Sequence, residues 1–183
     1  MTTEELVQTE GGLYLRKLRL TDAELLHTAF SDEDSATYFT QKKYKNFHDT
    51  KTLVAWLCSV GDYFTVVREK GDQVIGLIGT RPVKDKPGVV RLAYVIHKRY
   101  RGRGIMPEVI RALTAQVFQN GKVNRIEATI RPDNVKSLRC IEKAGYHMER
   151  VIEAEANQPD TGDDELLKRR ILYVCLKTNT GNI

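Results

Sequence analysis

Between residues 89 and 121 the chain passes from an apolar run, Val89 to Ile96, through Arg101-Gly102-Arg103-Gly104 into a helical pattern. There Ile105, Val109, Leu113 and Val117 recur every four residues, and Asn120-Gly121 supplies a C-cap. Pro107 fixes where that helix begins, because proline is tolerated only in the first turn, where its missing N–H would have had no partner. The amides around Arg101 to Ile105 are thereby left at the positive end of a helix dipole, with two glycines keeping side chains out of the way. That arrangement suits an anion. Lys98, Arg99, Arg101 and Arg103 crowd the same turn and point to a polyanionic ligand. The same residues also read as a tight turn beneath a solvated basic loop. No G-x-x-x-x-G-K-[ST] follows, so a Walker loop is excluded, and Pro107 occupies the place of the third glycine of a dinucleotide fingerprint.

On either side of this unit the pattern predicts strands and helices in alternation. Leu13 to Leu20 alternates apolar and basic residues, as a half-buried strand does, and Thr21-Asp22-Ala23-Glu24 fits a capping box before an apolar stripe of Leu25, Leu26, Ala29 and Phe30. Residues 31–49 carry Lys42, Lys43 and Lys45 among Tyr38, Tyr44 and Phe47 without clear period, and read as short helix and loop, a candidate lid. A helix is expected from Thr50 to Ser59, then two strands, Tyr63 to Glu69 and Gln73 to Thr80, joined by the hairpin connection Lys70-Gly71-Asp72. After the glycine-bounded helix come a strand Arg125 to Ile130, a helix Asn134 to Ala144 closed by Gly145, and a strand Tyr146 to Glu153. An acidic loop to about Glu165 and a last strand, Arg169 to Leu176, complete the chain. The order is that of one α+β domain over residues 1–183, its core at about 13–176, with a central, mostly antiparallel mixed sheet flanked by helices.

Composition narrows the function classes. Over 183 residues, 29 Lys plus Arg against 24 Asp plus Glu give a net charge of +5, which favours anionic partners yet is too weak to argue for nucleic acid by itself. Cys58, Cys140 and Cys175 are odd in number, widely spaced and in no C-x-x-C, which argues against a disulfide framework or a metal site. No apolar run approaches the ~18–20 residues of a membrane span, and the start, MTTEELVQTEGG, is acidic where a signal peptide is basic; a soluble, cytoplasmic protein without a membrane partner is expected.

Several segments together carry a resemblance: Leu92-Ala93-Tyr94-Val95-Ile96, the turn from His97 to Gly104 and its helix, Asn124-Arg125-Ile126-Glu127-Ala128, Pro132-Asp133-Asn134-Val135-Lys136-Ser137, and Glu142-Lys143-Ala144-Gly145-Tyr146. In this order and spacing they resemble the GNAT superfamily of acetyl-CoA-dependent N-acetyltransferases, and within it the Rim-type ribosomal-protein N-terminal acetyltransferases. Arg99-x-x-Gly102-x-Gly104 satisfies the superfamily's [QR]-x-x-G-x-[GA] pattern. The resemblance implies a sheet splayed at the cofactor site and acetyl-CoA as co-substrate with no metal. Pyrophosphate would lie on the amides of Arg101, Gly102, Arg103, Gly104 and Ile105, beside Arg99. Pantetheine would lie along Tyr94, Val95 and Ile96, with Asn134 touching the cofactor where the sheet opens.

For the chemistry, Ser137 matches a position where the Rim-type enzymes present a hydroxyl near the thioester sulfur, and is a candidate acid for the leaving thiolate; capping its own helix is the equal alternative. The tyrosine that plays this part in other branches, four residues on, is Ile141 here. Arg91 stands where the branch often has a glutamate base. Glu127 is the substitute candidate, with a surface ion pair as its competing role. Losing a proton at pH 7 costs ~1 kcal/mol for an α-amine of pKa ~7.7–8.0 and ~4–5 kcal/mol for a lysine amine, so a site without a strong base favours the α-amine. The expected reaction is therefore acetyl transfer to an amine, first a protein N-terminal α-amine, alternatively a small-molecule amine such as a polyamine, amino sugar or antibiotic. A non-catalytic acyl-CoA sensor and a basic nucleic-acid module are rivals, and a homodimer is compatible with the sequence. His97 reads as a cofactor-edge or surface residue, Cys140 as packed, and Trp56 and Tyr44 as core residues before acceptor-pocket ones. The acidic run 157–165 reads as a solvated loop or an attractor for a cationic acceptor.

Overall fold

The computed structural model describes residues 7–35, 38–39, 46–68, 73–153 and 169–177. Eight strands form one sheet: β1 (Val7–Gln8), β2 (Leu13–Lys17), β3 (Asp62–Arg68), β4 (Gln73–Pro82), β5 (Val89–Ile96), β6 (Arg125–Ile130), β7 (His147–Glu153) and β8 (Arg169–Leu176). Their order is β1-β2-β3-β4-β5-β6-β8-β7. Every adjacent pair is antiparallel except β5 and β6. Those two run parallel and pair only over Val89–Arg91 and Arg125–Glu127, although β5 continues to Ile96 and β6 to Ile130. Beyond Arg91 the sheet forks, as the expected splay requires.

Helices cover both faces. On one lie α1 (Ala23–Ser31) and α3 (Phe47–Val60), whose Leu26, Phe30, Val54 and Leu57 pack on Val67, Leu77 and Val95. On the other, α4 (Ile105–Gln119) and α5 (Val135–Lys143) set Val109, Ile110, Leu113 and Ile141 against Val66, Ile78, Leu92 and Ala128. Each fully buried aliphatic or aromatic side chain contributes roughly 1.5–3 kcal/mol, so these two layers hold the fork in place. Neighbouring β5 residues face opposite ways: Ala93 and Val95 face α1 and α3, Leu92, Tyr94 and Ile96 face α4 and α5.

The structure differs from the sequence pattern at several ends. Ahead of the first expected strand the structure adds β1, which pairs with Tyr14 and Leu15 of β2. The strand expected to reach Leu20 stops at Lys17, and the Thr21–Glu24 capping box is replaced by a 3-10 turn over Leu20–Asp22. The reason is Asp22. Its buried carboxylate accepts two bonds from the Arg16 guanidinium, at 2.8 and 3.0 Å, one from the Arg19 amide and one from the Thr65 hydroxyl. Those partners hold its carboxyl below the usual range although burial pushes it upward. Leu25 is half exposed rather than part of the buried stripe. The third helix begins three residues earlier than expected, at Phe47, because Asn46 caps it by accepting from the Asp49 amide at 2.9 Å. The Lys70-Gly71-Asp72 connection, Tyr44 and its neighbouring lysines, and the acidic run 157–165 lie outside the described residues.

Candidate active site

A cavity of about 1200 Å³ occupies the fork between β5 and β6 and extends beneath α3. One end of it is built by the glycine turn. Gly102 and Gly104 both sit in the left-handed region, at φ +75° and +74°, where a side chain is strained; a Cβ at either would meet nothing within 4 Å. Gly104 is the N-cap of α4 and offers no side-chain cap, so the first amides of that helix face open space. Ile105, Met106 and Pro107 complete this wall, as the proline required.

The basic residues of the turn separate in function. Arg101 turns its guanidinium away from the glycines to Asp32 at 2.6 Å, Asp34 at 2.8 Å and the Ile96 carbonyl at 3.2 Å. It therefore ties the turn to the end of α1 and to α2 (Glu33–Ser35), and its amide, expected to face the ligand, donates instead to the Lys98 carbonyl at 3.2 Å. Burial pushes the Asp32 carboxyl up, and the Arg101 fork and Ser35 hydroxyl pull it below its ordinary value. Arg99 is exposed, stacks over the Tyr100 ring at 4.8 Å and does not line the cavity, whereas Arg103 does. His97 corrects the surface reading. It is 9% exposed, its Nε2 donating to the Leu25 carbonyl and its Nδ1 facing the Thr28 hydroxyl, each at 3.2 Å, so it pins α1 to the end of β5. Burial holds its imidazole below the ordinary range, hence neutral at pH 7.

At the fork, Tyr94 of β5 and Ser137 of α5 share a hydrogen bond of 2.7 Å between hydroxyls. Burial pushes the Tyr94 phenol far above its ordinary range, and Cys140 adds to the shift, so the ring stays neutral. The Cys140 thiol is itself pushed up to about 11 by burial and is a packed neighbour rather than a nucleophile. Asn134 caps α5, its side-chain oxygen accepting from the Ser137 amide at 3.2 Å, and it lines the cavity beside Ser137. Val95 and Ile96 line it as well. Glu127 does not. It is 2% exposed and bonded to Arg125 at 2.9 Å, with Lys86 at 3.7 Å and Arg91 at 4.0 Å; the ion pair expected at the surface is buried.

Beyond the fork the cavity is walled by His48, Asp49, Thr52 and Trp56 of α3 and by Arg81 and Arg91 of β4 and β5. Trp56, expected in the core, is 49% exposed and stands on this wall. Arg81 and Asp49 carried no signal in the sequence, since only the strand register and the N-terminal turn of α3 bring them here.

Residues 12–147 match the family model described as the acetyltransferase (GNAT) domain. The chain belongs to the GNAT acetyltransferase family. It is an N-acetyltransferase. Among curated relatives it is 24% identical over 145 residues to the uncharacterized N-acetyltransferase p20 of Bacillus licheniformis, covering 76% of this chain and 82% of that protein. A GNAT-family acetyltransferase from Bacillus anthracis superposes with a TM-score of 0.79 at 23% identity, covering 94% of this chain and 98% of the other. RimL, a ribosomal L7/L12 α-N-protein acetyltransferase solved with coenzyme A, gives 0.77 at 15% identity over 94% and 98%. The aminoglycoside acetyltransferase AAC(6')-Ib, with ribostamycin and coenzyme A, gives 0.75 at 16% over 91% and 94%. At these identities the superpositions speak for the fold. Among the described residues, no helix is long and apolar enough to cross a membrane, and no group of three or more His, Cys, Asp and Glu side chains is placed to hold a metal.

Proposed function

We propose that this GNAT enzyme transfers acetyl from acetyl-CoA directly to the α-amine of a protein or peptide amino terminus. One observation carries the reading: the uncapped start of α4 under two left-handed glycines opens into the same cavity as the neutral Tyr94–Ser137 hydroxyl pair. The residues fit the cofactor, because the space that a Cβ at Gly102 or Gly104 would enter is empty of protein atoms. Bound acetyl-CoA supplies an acyl group activated as a thioester. The amides from Gly102 to Ile105 are suited to its pyrophosphate, with Arg103 alongside. The edge of β5 left unpaired by β6 beyond Arg91 supplies backbone donors for the cofactor's arm and carbonyl. Ser137, hydrogen-bonded to a phenol that stays protonated, holds a proton where a thiolate would leave, and Asn134 fixes the turn that presents it.

The preference for an α-amine follows from the base. Arg91 replaces the carboxylate that would deprotonate a strongly basic amine, and Glu127 is buried away from the cavity. An amine that loses its proton for ~1 kcal/mol at pH 7 needs least help. The test is a screen of peptides with free amino termini, polyamines and aminoglycosides, read by release of free coenzyme A. Peptide turnover blocked by prior N-terminal formylation is the expected result. Turnover confined to polyamines or aminoglycosides would overturn it, as would cofactor binding with no turnover of any amine.

A further inference from the structure

Two phenol–hydroxyl pairs lie on the α4 and α5 side of the sheet. Tyr146 meets the Thr114 hydroxyl of α4 at 2.8 Å, and Tyr94 of β5 meets the Ser137 hydroxyl of α5 at 2.7 Å. Burial pushes both phenols above their ordinary range, so both stay protonated. The first pair does not line the cavity and does what a buried hydrogen bond does, satisfying two polar groups in the core. In the second pair both partners line the cavity. The chemistry assigned to Ser137 needs a proton aimed into that space, and a serine hydroxyl alone does not fix one, because its O–H rotates to suit its neighbours.

The contacts of the pair decide which oxygen donates. The Tyr94 hydroxyl has two oxygen acceptors in reach, Ser137 Oγ at 2.7 Å and the Ser137 carbonyl at 3.3 Å. The first is the ordinary length of an O–H···O bond, and the second lies beyond the usual range. The Cys140 thiol also faces the phenol, and sulfur is a weak acceptor. A phenol is the more acidic of the two hydroxyls and hence the better donor. Ser137 is the third residue of α5, so it has no helical carbonyl four residues back to take its proton, as serines deeper in a helix do. With Tyr94 donating, the side of Ser137 Oγ that faces the strand is occupied. Its own proton is left to point into the cavity.

We propose that Tyr94 is a positioning residue for the transfer: by donating to Ser137 Oγ it turns the serine proton into the cavity, where the leaving sulfur takes it. The inference rests on the role given to Ser137 above. Ser137 gives its proton to sulfur as the C–N bond to the amine forms and the C–S bond breaks, the electron pair of that bond going to sulfur. The phenol's hydrogen bond steadies the charge left on Oγ, and the proton released by the acetylated nitrogen returns to Ser137. Tyr94 keeps its own proton throughout.

The test measures kcat by coenzyme A release, with saturating acetyl-CoA and the amine that turns over fastest in the acceptor screen. Tyr94→Phe keeps the ring and removes the hydroxyl. Its kcat should fall about ten- to a hundredfold, as for a hydrogen bond to a developing charge, with both KM values and the thermal stabilisation by acetyl-CoA unchanged. Tyr146→Phe, which breaks the matched pair outside the cavity, should keep kcat within about twofold of wild type. Because Tyr94 acts through Ser137, the double variant Ser137→Ala/Tyr94→Phe should lose no more than Ser137→Ala alone, whereas a packing role would multiply the two losses. In the ligand-free enzyme the C–O stretch of Tyr94, isolated as the infrared difference between wild type and Tyr94→Phe, should be that of a donating phenol. Losses that multiply, an accepting phenol, or an undiminished kcat in Tyr94→Phe would overturn the positioning role and leave Ser137 as the acid. An undiminished kcat in Ser137→Ala, or no turnover of any amine, would overturn both.

Discussion

Replacing Gly104 by alanine separates the strain of the glycine turn from its role as an anion cradle. An L-residue in the left-handed region costs about 1–2 kcal/mol, and because a Cβ at Gly104 would meet no protein atom within 4 Å, no clash adds to it. For a chain of this size, with ~2–4 °C per kcal/mol, the ligand-free Tm should fall by about 2–8 °C. Acetyl-CoA at a hundred times its Kd stabilises the wild type by ~2.7 kcal/mol, or about 5–11 °C. In Gly104→Ala that increment should drop by more than half, and in the Gly102→Ala/Gly104→Ala pair it should vanish, since the methyl groups stand where the phosphates approach the amides. Gly121 is the matched control. It lies just beyond the other end of α4, at φ +72° and with equally open space, so Gly121→Ala carries the same strain and should keep the full increment. Scanning fluorimetry with and without acetyl-CoA measures both quantities. An undiminished increment in the double variant, or an equal loss in Gly121→Ala, would refute the placement of the phosphate site.

Three other outcomes are expected. Ser137→Ala should lower kcat by roughly ten- to a thousandfold with the acetyl-CoA increment unchanged, and turnover within twofold of wild type would leave Ser137 only its place in the first turn of α5. His97, held below its ordinary pKa by burial, binds its proton less readily folded than unfolded. Stability should therefore be complete above the unfolded value near 6.5 and decline as pH falls toward the folded one, and urea midpoints at pH 7.5 and 5.5 should differ less in His97→Asn than in the wild type. Asp22→Ala, which strands the buried Arg16 guanidinium, should cost about 3–5 kcal/mol by urea unfolding, with much of that recovered in Arg16→Met/Asp22→Leu; a loss under 1 kcal/mol would refute the pairing as a structural anchor.

Much of the fold was legible because its signals are local. The four-residue repeat from Ile105 to Val117, Pro107 in the first turn and the glycines at either end bound α4 to within a residue, period-two alternation marked β2, and an apolar run marked β5. What the sequence concealed depends on partners far along the chain. The start of α1 is decided by Thr65, 43 residues from Asp22, and no helix-capping rule anticipates a carboxylate drawn inward by a strand it has not yet met. Trp56 looks like a core residue until α3 is laid over the fork, where its ring faces the cavity instead.

The basic turn shows why residue type alone misassigns charge. Four cations in six residues suggest a cluster aimed at one anion, yet Arg101 is spent on Asp32 and Asp34, and Arg99 lies outside the cavity. What remains at the start of α4 is mostly backbone: amides freed by Pro107 and exposed by two glycines, with Arg103 beside them. The side-chain charge that lines the pocket farther in comes from Arg81 and Arg91, ten residues apart in sequence and adjacent only once β4 and β5 are in register. A shift of that register by one residue would turn one of the two to the opposite face of the sheet, so the charge they bring to the cavity is a property of the strand pairing.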